Sequence, residues 1–130
     1  MVVVQVFQWI ARITGVLALL LGLSDWIFSF DAVIGVHIFL GISVAVSLLV
    51  MGIMLAATNG LRGLGVAGII YAAILPLFGL NQTRLLDTNL HWIIQLAHLI
   101  VGIGALALVQ VMGTRYEQSQ TPSSLSPRAG

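Results

Sequence analysis

Apolar residues fill four long stretches of the chain, and short polar segments separate them. These stretches are residues 9–27, 32–57, 61–80 and 90–112. Each is close to or above the ~20 apolar residues that a helix needs to cross the hydrocarbon core of a bilayer. The pattern predicts an all-α fold: a four-transmembrane-helix bundle without the alternation of a membrane β-barrel.

The two ends of the chain differ from these stretches. Residues 1–8, "MVVVQVFQ", either extend the first helix or lie at the membrane interface. Residues 114–130 are polar and rich in serine and proline, which is typical of a disordered tail. The sequence therefore predicts one membrane domain over residues 1–113 and a polar cytoplasmic tail over residues 114–130.

Composition supports insertion into a lipid bilayer. Of the 130 residues, 59% are hydrophobic and 7% are charged, and the mean hydropathy is +1.10. A water-soluble domain of this size needs a more polar surface. The absence of cysteine excludes disulfides, thiolate metal sites and haem attached through a C-x-x-C-H motif. The few arginines form no basic cluster for nucleic acid or anionic lipid, so no nucleic-acid partner is expected.

The arginines predict an orientation in the membrane. Four spans place both termini and the loop between spans 2 and 3 on the same side. Arg12, Arg62, Arg115 and Arg128 fall on that side, whereas Arg84 and three of the four acidic residues fall on the other. The positive-inside rule then predicts cytoplasmic termini. The expected location is a bacterial inner (plasma) membrane.

The two predicted helical hairpins resemble each other. "HIFLG" begins at His37 and "HLIVG" begins at His98, and "GL" at residues 22–23 matches "GL" at residues 79–80. Both hairpins run in the same sense, so a duplication would relate them by a pseudo-two-fold axis along the membrane normal. Two apolar helices also resemble each other by chance, and both origins stay open at this point.

The histidines are the chemically distinctive residues of the spans, because ionisable groups inside a membrane are costly and tend to be functional. His91 and His98 share a helix face but lie about 10.5 Å apart along the axis. That separation argues against a compact three-histidine zinc site. A haem is a better match, since its iron takes two axial imidazoles from facing helices of a bundle.

Glycines select a pair among the three histidines. Gly41 follows His37 by one helical turn, and Gly102 follows His98 in the same way, which leaves room for a flat macrocycle beside each ring. His91 has Gln95 at that position and lacks the gap. It is a candidate to bind a haem propionate, to ligate a second haem or to face the lipid head groups.

A simpler interpretation stays open for each histidine. A single membrane histidine often only hydrogen-bonds a neighbouring helix, and a glycine often marks close packing. What favours ligation is the occurrence of two His-x-x-x-Gly segments at corresponding positions of matched hairpins.

With "HIFLG", "HLIVG" and the loop "NQTRLLDTNLHW", residues 9–113 resemble the small membrane b-type cytochromes. They are also similar to small four-span bacterial membrane proteins with "L-H-x-x-x-G" and "Q-x-R-L-L…H-W" segments. The resemblance implies haem b held non-covalently by His37 and His98, with Arg84 pairing with the propionates. It also implies electron exchange with quinone or a redox partner protein. The spacing of His91 and His98 departs from that of two-haem cytochromes, which speaks against a second haem.

These observations favour an electron carrier over an autonomous enzyme, since no nucleophile, general base or phosphate cradle is visible. One alternative is a non-catalytic subunit or scaffold of a larger membrane complex, whose histidines pack helices or bind a pigment. Haem sensing or storage would use the same residues. A transporter has less support, because no interior charge marks a pathway. Glycine-rich helices also suit a homo-oligomer.

Overall fold

The computed structural model describes residues 2–28, 31–81 and 91–121, and these residues form a bundle of four helices. The helices are α1 (Val2–Phe28), α2 (Ile34–Ala56), α3 (Arg62–Asn81) and α4 (His91–Gln120), and a 3-10 turn at Asp31–Val33 precedes α2. The described part contains no strand, so the predicted all-α four-helix fold is confirmed. All four helices are long and apolar enough to cross a membrane, as judged by length and composition.

Two helices extend beyond the predicted spans. Residues 2–8 continue α1, and residues 114–120, which the sequence assigned to the polar tail, continue α4. The two extensions support each other, because Tyr116 is 7% exposed and Nε2 of Gln5 donates a hydrogen bond to Oε1 of Glu117 at 3.2 Å. The rest of the predicted tail, residues 122–130, lies outside the described residues.

Each helix packs against its neighbours in chain order, and α4 completes the bundle by contacting the other three. The connection between α2 and α3 is tight, and Gly60 adopts a φ of 83°, a left-handed conformation that favours glycine. Helices α2 and α4 also meet across the bundle, whereas no contact joins the described parts of α1 and α3. The histidine-bearing helices α2 and α4 therefore lie nearest to the bundle axis.

The interior is solid at one end of the bundle and hollow at the other. The fully buried apolar side chains belong to the end that holds the start of α1 and the finish of α4. They include Val4, Ala11, Leu48, Met51, Leu55, Val109 and Met112. At the opposite end the helices surround a cavity, and all three histidines line it.

Many buried residues of the second hairpin lie at positions that correspond in sequence to buried residues of the first. Residues of α1 correspond to those 57 positions later in α3 (Gly22 to Gly79), and residues of α2 to those 61 positions later in α4 (His37 to His98). The buried residues of α4 are Ala105, Val109, Met112, Gly113 and Tyr116, and their counterparts in α2 are Val44, Leu48, Met51, Gly52 and Leu55. The buried residues of α3 are Gly65, Gly68 and Ala72, and their counterparts in α1 are Gln8, Ala11 and Gly15.

Every buried residue of α3 and α4 thus has a buried counterpart in α1 or α2. The match is one-sided, because five further residues of α1 and α2 are buried while their counterparts in the second hairpin are only partly buried: Val4, Ala18, Leu40, Ala45 and Ser47. The burial pattern therefore agrees in part with the sequence correspondence of the two hairpins, and their origin by duplication stays a prediction.

Candidate functional site

The cavity at the hollow end lies between the two hairpins and has a volume of about 380 Å³. Five residues singled out from the sequence line it: His37, Gly41, His91, His98 and Gly102. Volumes of roughly 300–1,000 Å³ are typical of ligand and cofactor pockets. The fold therefore brings these five residues around one space, while Arg84 lies outside the described residues.

The ring of His37 is held by the first helix. Its Nδ1 lies 2.9 Å from the carbonyl oxygen of Ala18. A carbonyl oxygen can only accept a hydrogen bond, so this contact requires the proton on Nδ1 and leaves the lone pair on Nε2. Metal-ligating histidines are commonly oriented in this way, by donation from one ring nitrogen to a backbone carbonyl.

Gly22 gives His37 access to that carbonyl. It lies one turn after Ala18 on α1, and a Cβ atom built on it would lie 3.0 Å from Cε1 of His37. Real Cβ atoms rarely approach another atom so closely, so a larger residue at position 22 would have to displace the imidazole. The glycine and the histidine therefore form one packing unit.

The second hairpin contains a similar glycine–histidine contact, but the histidine ring has other neighbours and its Nδ1 has no hydrogen-bond partner among the described residues. A Cβ atom on Gly79 would lie 3.3 Å from Cε1 of His98, as expected from the correspondence with Gly22. The ring of Phe78 stacks on His98 with a centroid separation of 6.0 Å and an interplanar angle of 5°. Nδ1 of His98 is buried without a hydrogen-bond partner among the described residues. A buried polar atom without a partner costs free energy, and a ligand in the adjacent cavity would remove that cost.

The two corresponding histidines lie close together at the cavity. Their ring centroids are 5.9 Å apart, and the ring planes are inclined by 57°. With metal–nitrogen bonds of about 2.0–2.1 Å, and a further ~1.1 Å from each nitrogen to its ring centre, two imidazoles on opposite sides of one metal ion have ring centres roughly 6.4 Å apart. The separation of His37 and His98 is about half an ångström shorter than this value, so only a small shift would let both rings bind one metal ion.

The donor set fits a metal that brings its own equatorial ligands. In residues 2–28, 31–81 and 91–121 no group of three or more His, Cys, Asp or Glu side chains could hold a metal ion. A pair of imidazoles is nevertheless what a haem requires, because the porphyrin supplies the other four nitrogens. His37 and His98 are each partly buried, and both open onto the cavity. The residues present therefore fit a haem better than a bare metal ion.

The space beside the two rings is unequal. A Cβ atom on Gly41 would meet nothing within 4 Å, whereas one on Gly102 would lie 3.4 Å from Cδ2 of Leu19. His91 and Gln95 line the same cavity one to two turns before His98, near the start of α4. They add polar groups to a wall whose α2 counterpart is apolar: Gln95 corresponds to Ile34.

Sequence reasoning missed the residues that hold the two rings from outside the histidine helices. These are Ala18 and Gly22 on α1, and Phe78 and Gly79 on α3. A signal was present in the repeated "GL" of the two hairpins, which marks Gly22 and Gly79. Which residues those glycines contact depends on how the helices pack, and the sequence alone does not give this.

Comparison of the chain with family models, with curated proteins and with solved structures finds no match.

Proposed function

We propose that the protein is a membrane haem protein that binds one haem b between His37 and His98 and serves in electron transfer. The observation that carries this proposal is the pair of imidazoles, one from each repeated hairpin, with centres 5.9 Å apart in a cavity of about 380 Å³. A bound haem would supply one-electron redox chemistry.

The chain's own residues have distinct parts in this proposal. His37 presents Nε2, since the Ala18 carbonyl holds its Nδ1, and His98 is kept in place by Phe78 and Gly79. If His37 and His98 both bound the haem iron, no position would stay open for oxygen chemistry, which favours electron transfer. His91 and Arg84 are the proposed contacts of the propionates, and a quinone or a redox protein is the proposed partner. We also propose that the protein lies in a bacterial inner membrane with both termini in the cytoplasm.

Absorption spectroscopy tests this proposal directly. The full chain is purified from cells that make ample haem, and its oxidised and dithionite-reduced spectra are recorded. We expect the spectrum of a six-coordinate b-type haem that is lost in His37→Ala and in His98→Ala but retained in His91→Ala. Helicity and elution volume check that each variant is folded. A folded, colourless wild-type protein would refute the proposal. Loss of haem in His91→Ala alone would move the ligand to the other turn of α4.

The alternative is a non-catalytic subunit of a membrane complex in which these histidines only pack helices. It is favoured by the hydrogen bond from His37 to Ala18 and the stacking of Phe78 on His98, since both contacts are complete without a cofactor. A ligand that binds the folded state raises its stability. Added haem should therefore raise the thermal midpoint of the wild type and not that of His98→Ala. The alternative predicts no shift in either.

A further inference from the structure

A second concave surface lies at the solid end of the bundle, away from the histidine cavity. It is an open groove of about 670 Å³ between the first half of α1 and the end of α4. Its polar lining residues are Gln5, Gln8, Arg12, Gln110, Thr114 and Glu117. None of them lines the histidine cavity, so an inference about this groove is independent of the proposed haem.

The repeat provides an internal comparison for this groove. The counterpart of the α1/α4 interface is the α2/α3 interface, in which Gly65 replaces Gln8 and Gly52 replaces Gly113. There the helices touch by their backbones, since a Cβ atom on Gly52 would lie 2.9 Å from the carbonyl oxygen of Gly65. At the α1/α4 interface, the carboxamide of the buried Gln8 occupies the space over Gly113 instead.

The two corresponding interfaces are therefore packed differently. The α2/α3 interface is formed by close glycine contacts, whereas the α1/α4 interface contains a polar side chain and leaves a groove. Other groove residues depart from the repeat in the same direction. Arg12 corresponds to Ile69, and Gln110 corresponds to Leu49. The corresponding α2/α3 interface is packed without such a polar set.

Arg12 is the central group of the groove. Its guanidinium donates a hydrogen bond to the side-chain carbonyl oxygen of Gln110 and lies 5.3 Å from the ring centroid of Trp9. The contact with Gln110 uses only part of the five N–H donors of a guanidinium. The remaining N–H groups have no hydrogen-bond partner among the described residues and are free to donate to an acceptor in the groove.

The surroundings of Arg12 match an amphiphile at a membrane interface. Trp9 is 60% exposed, as is typical of aromatic residues at the level of the lipid head groups. Ile10 and Ile13 expose apolar surface beside it and also line the groove. The one carboxylate of the groove, Glu117, is hydrogen-bonded by Gln5, which precedes Arg12 by about 10.5 Å along α1. A ligand with an anionic oxygen head and an apolar body is complementary to this arrangement.

We infer that the groove between α1 and α4 binds the phosphate head group of an anionic phospholipid, with Arg12 as the principal contact. A guanidinium pairs well with phosphate oxygens because its N–H groups form a planar fork. Trp9 lies at the interfacial level, and the acyl chains run along the exposed apolar face of α1.

Lipid retention by the full chain in detergent tests this inference. Native mass spectrometry compares adducts with phosphatidylglycerol and with phosphatidylcholine, and thermal midpoints are measured with each lipid. Arg12→Gln removes the contact, and Gln110→Leu introduces the residue found at the twin position. Arg115→Gln is the matched control, because Arg115 is exposed at the same end of the bundle and does not line the groove.

We expect the wild type to retain phosphatidylglycerol in preference to phosphatidylcholine. Loss of the hydrogen bonds between the Arg12 guanidinium and the phosphate should weaken retention in Arg12→Gln about tenfold, since hydrogen bonds to charged groups contribute about 1.5–3 kcal/mol. Gln110→Leu should weaken it less, and Arg115→Gln should leave it unchanged. Equal losses in Arg12→Gln and Arg115→Gln, or no preference in the wild type, would overturn the inference. Stabilisation by inorganic phosphate alone would indicate a site for a free anion and would overturn the assignment to lipid.

Discussion

Gly22 and His37 are in direct contact, since a Cβ atom on the glycine would lie 3.0 Å from Cε1 of the imidazole. Gly79 and His98 repeat this relationship in the second hairpin. The two glycines belong to α1 and α3, so each histidine packs against a glycine of the helix that precedes its own. The position of each ring therefore depends on the packing within its hairpin.

A larger side chain at position 22 should displace the ring of His37 from its position at the cavity. We expect Gly22→Leu to lower haem occupancy about tenfold or more, since a displacement of the ligand weakens the iron–nitrogen bond on which binding depends. The measurement is the haem-to-protein absorbance ratio after purification, alongside helicity by circular dichroism. Gly35→Leu is the control, because a Cβ atom on Gly35 meets nothing within 4 Å. Equal haem loss in both variants would show that Gly22 has no specific part in holding His37.

Gly41 tests whether a macrocycle occupies the space beside His37. A Cβ atom on Gly41 meets nothing within 4 Å, so Gly41→Ala should raise the stability of the haem-free protein by about 0.5–1 kcal/mol, the usual gain of alanine over glycine in a helix. The same methyl group should reduce haem affinity if the ring lies against this face of α2. Thermal unfolding without haem and haem titration measure the two effects separately. Unchanged haem affinity would mean that the glycine does not adjoin the ring.

The spans and the pair of histidines could be predicted from sequence because their signals are local. Span length and apolar composition identify a membrane helix without knowledge of its neighbours. The correspondence of His37 with His98 can also be recognised in the sequence, since both begin a His-x-x-x-Gly segment. These features follow from the chain itself, and the fold confirms the four helices.

The ends of the helices and the supports of the rings could not be predicted in the same way. Polar residues near 114–120 are typical of a tail, yet the helix continues there because Tyr116 is buried against other helices. The contact of Ala18 with His37 joins two helices and depends on how each is rotated about its axis. Such tertiary contacts override local composition, and no pattern within one helix records them.

The glycine contact between α2 and α3 should be intolerant of even one methyl group. A Cβ atom on Gly65 would collide with the backbone of Ala56 and Gly52, which cannot move aside as a flexible side chain can. We expect Gly65→Ala to lower the free energy of unfolding by about 1–3 kcal/mol, as overpacked sites do. Gly63→Ala, in the same turn but facing open space, should be neutral or stabilising. Reversible unfolding in mixed micelles provides both values, and similar losses in the two variants would contradict the close approach of the helices.

The extension of α4 beyond the predicted span should contribute to stability through Tyr116. This side chain is 7% exposed and belongs to the same core cluster as Val4 and Met112. Tyr116→Ala should therefore lower the free energy of unfolding by about 3–5 kcal/mol, the usual cost of truncating a large buried aromatic residue. Thr114→Ala is the matched control, because Thr114 is exposed and its hydroxyl donates only to a carbonyl of its own helix, that of Gln110. If residues 114–120 did not pack against the start of α1, both substitutions would have small and equal effects, and unfolding followed by circular dichroism distinguishes these outcomes.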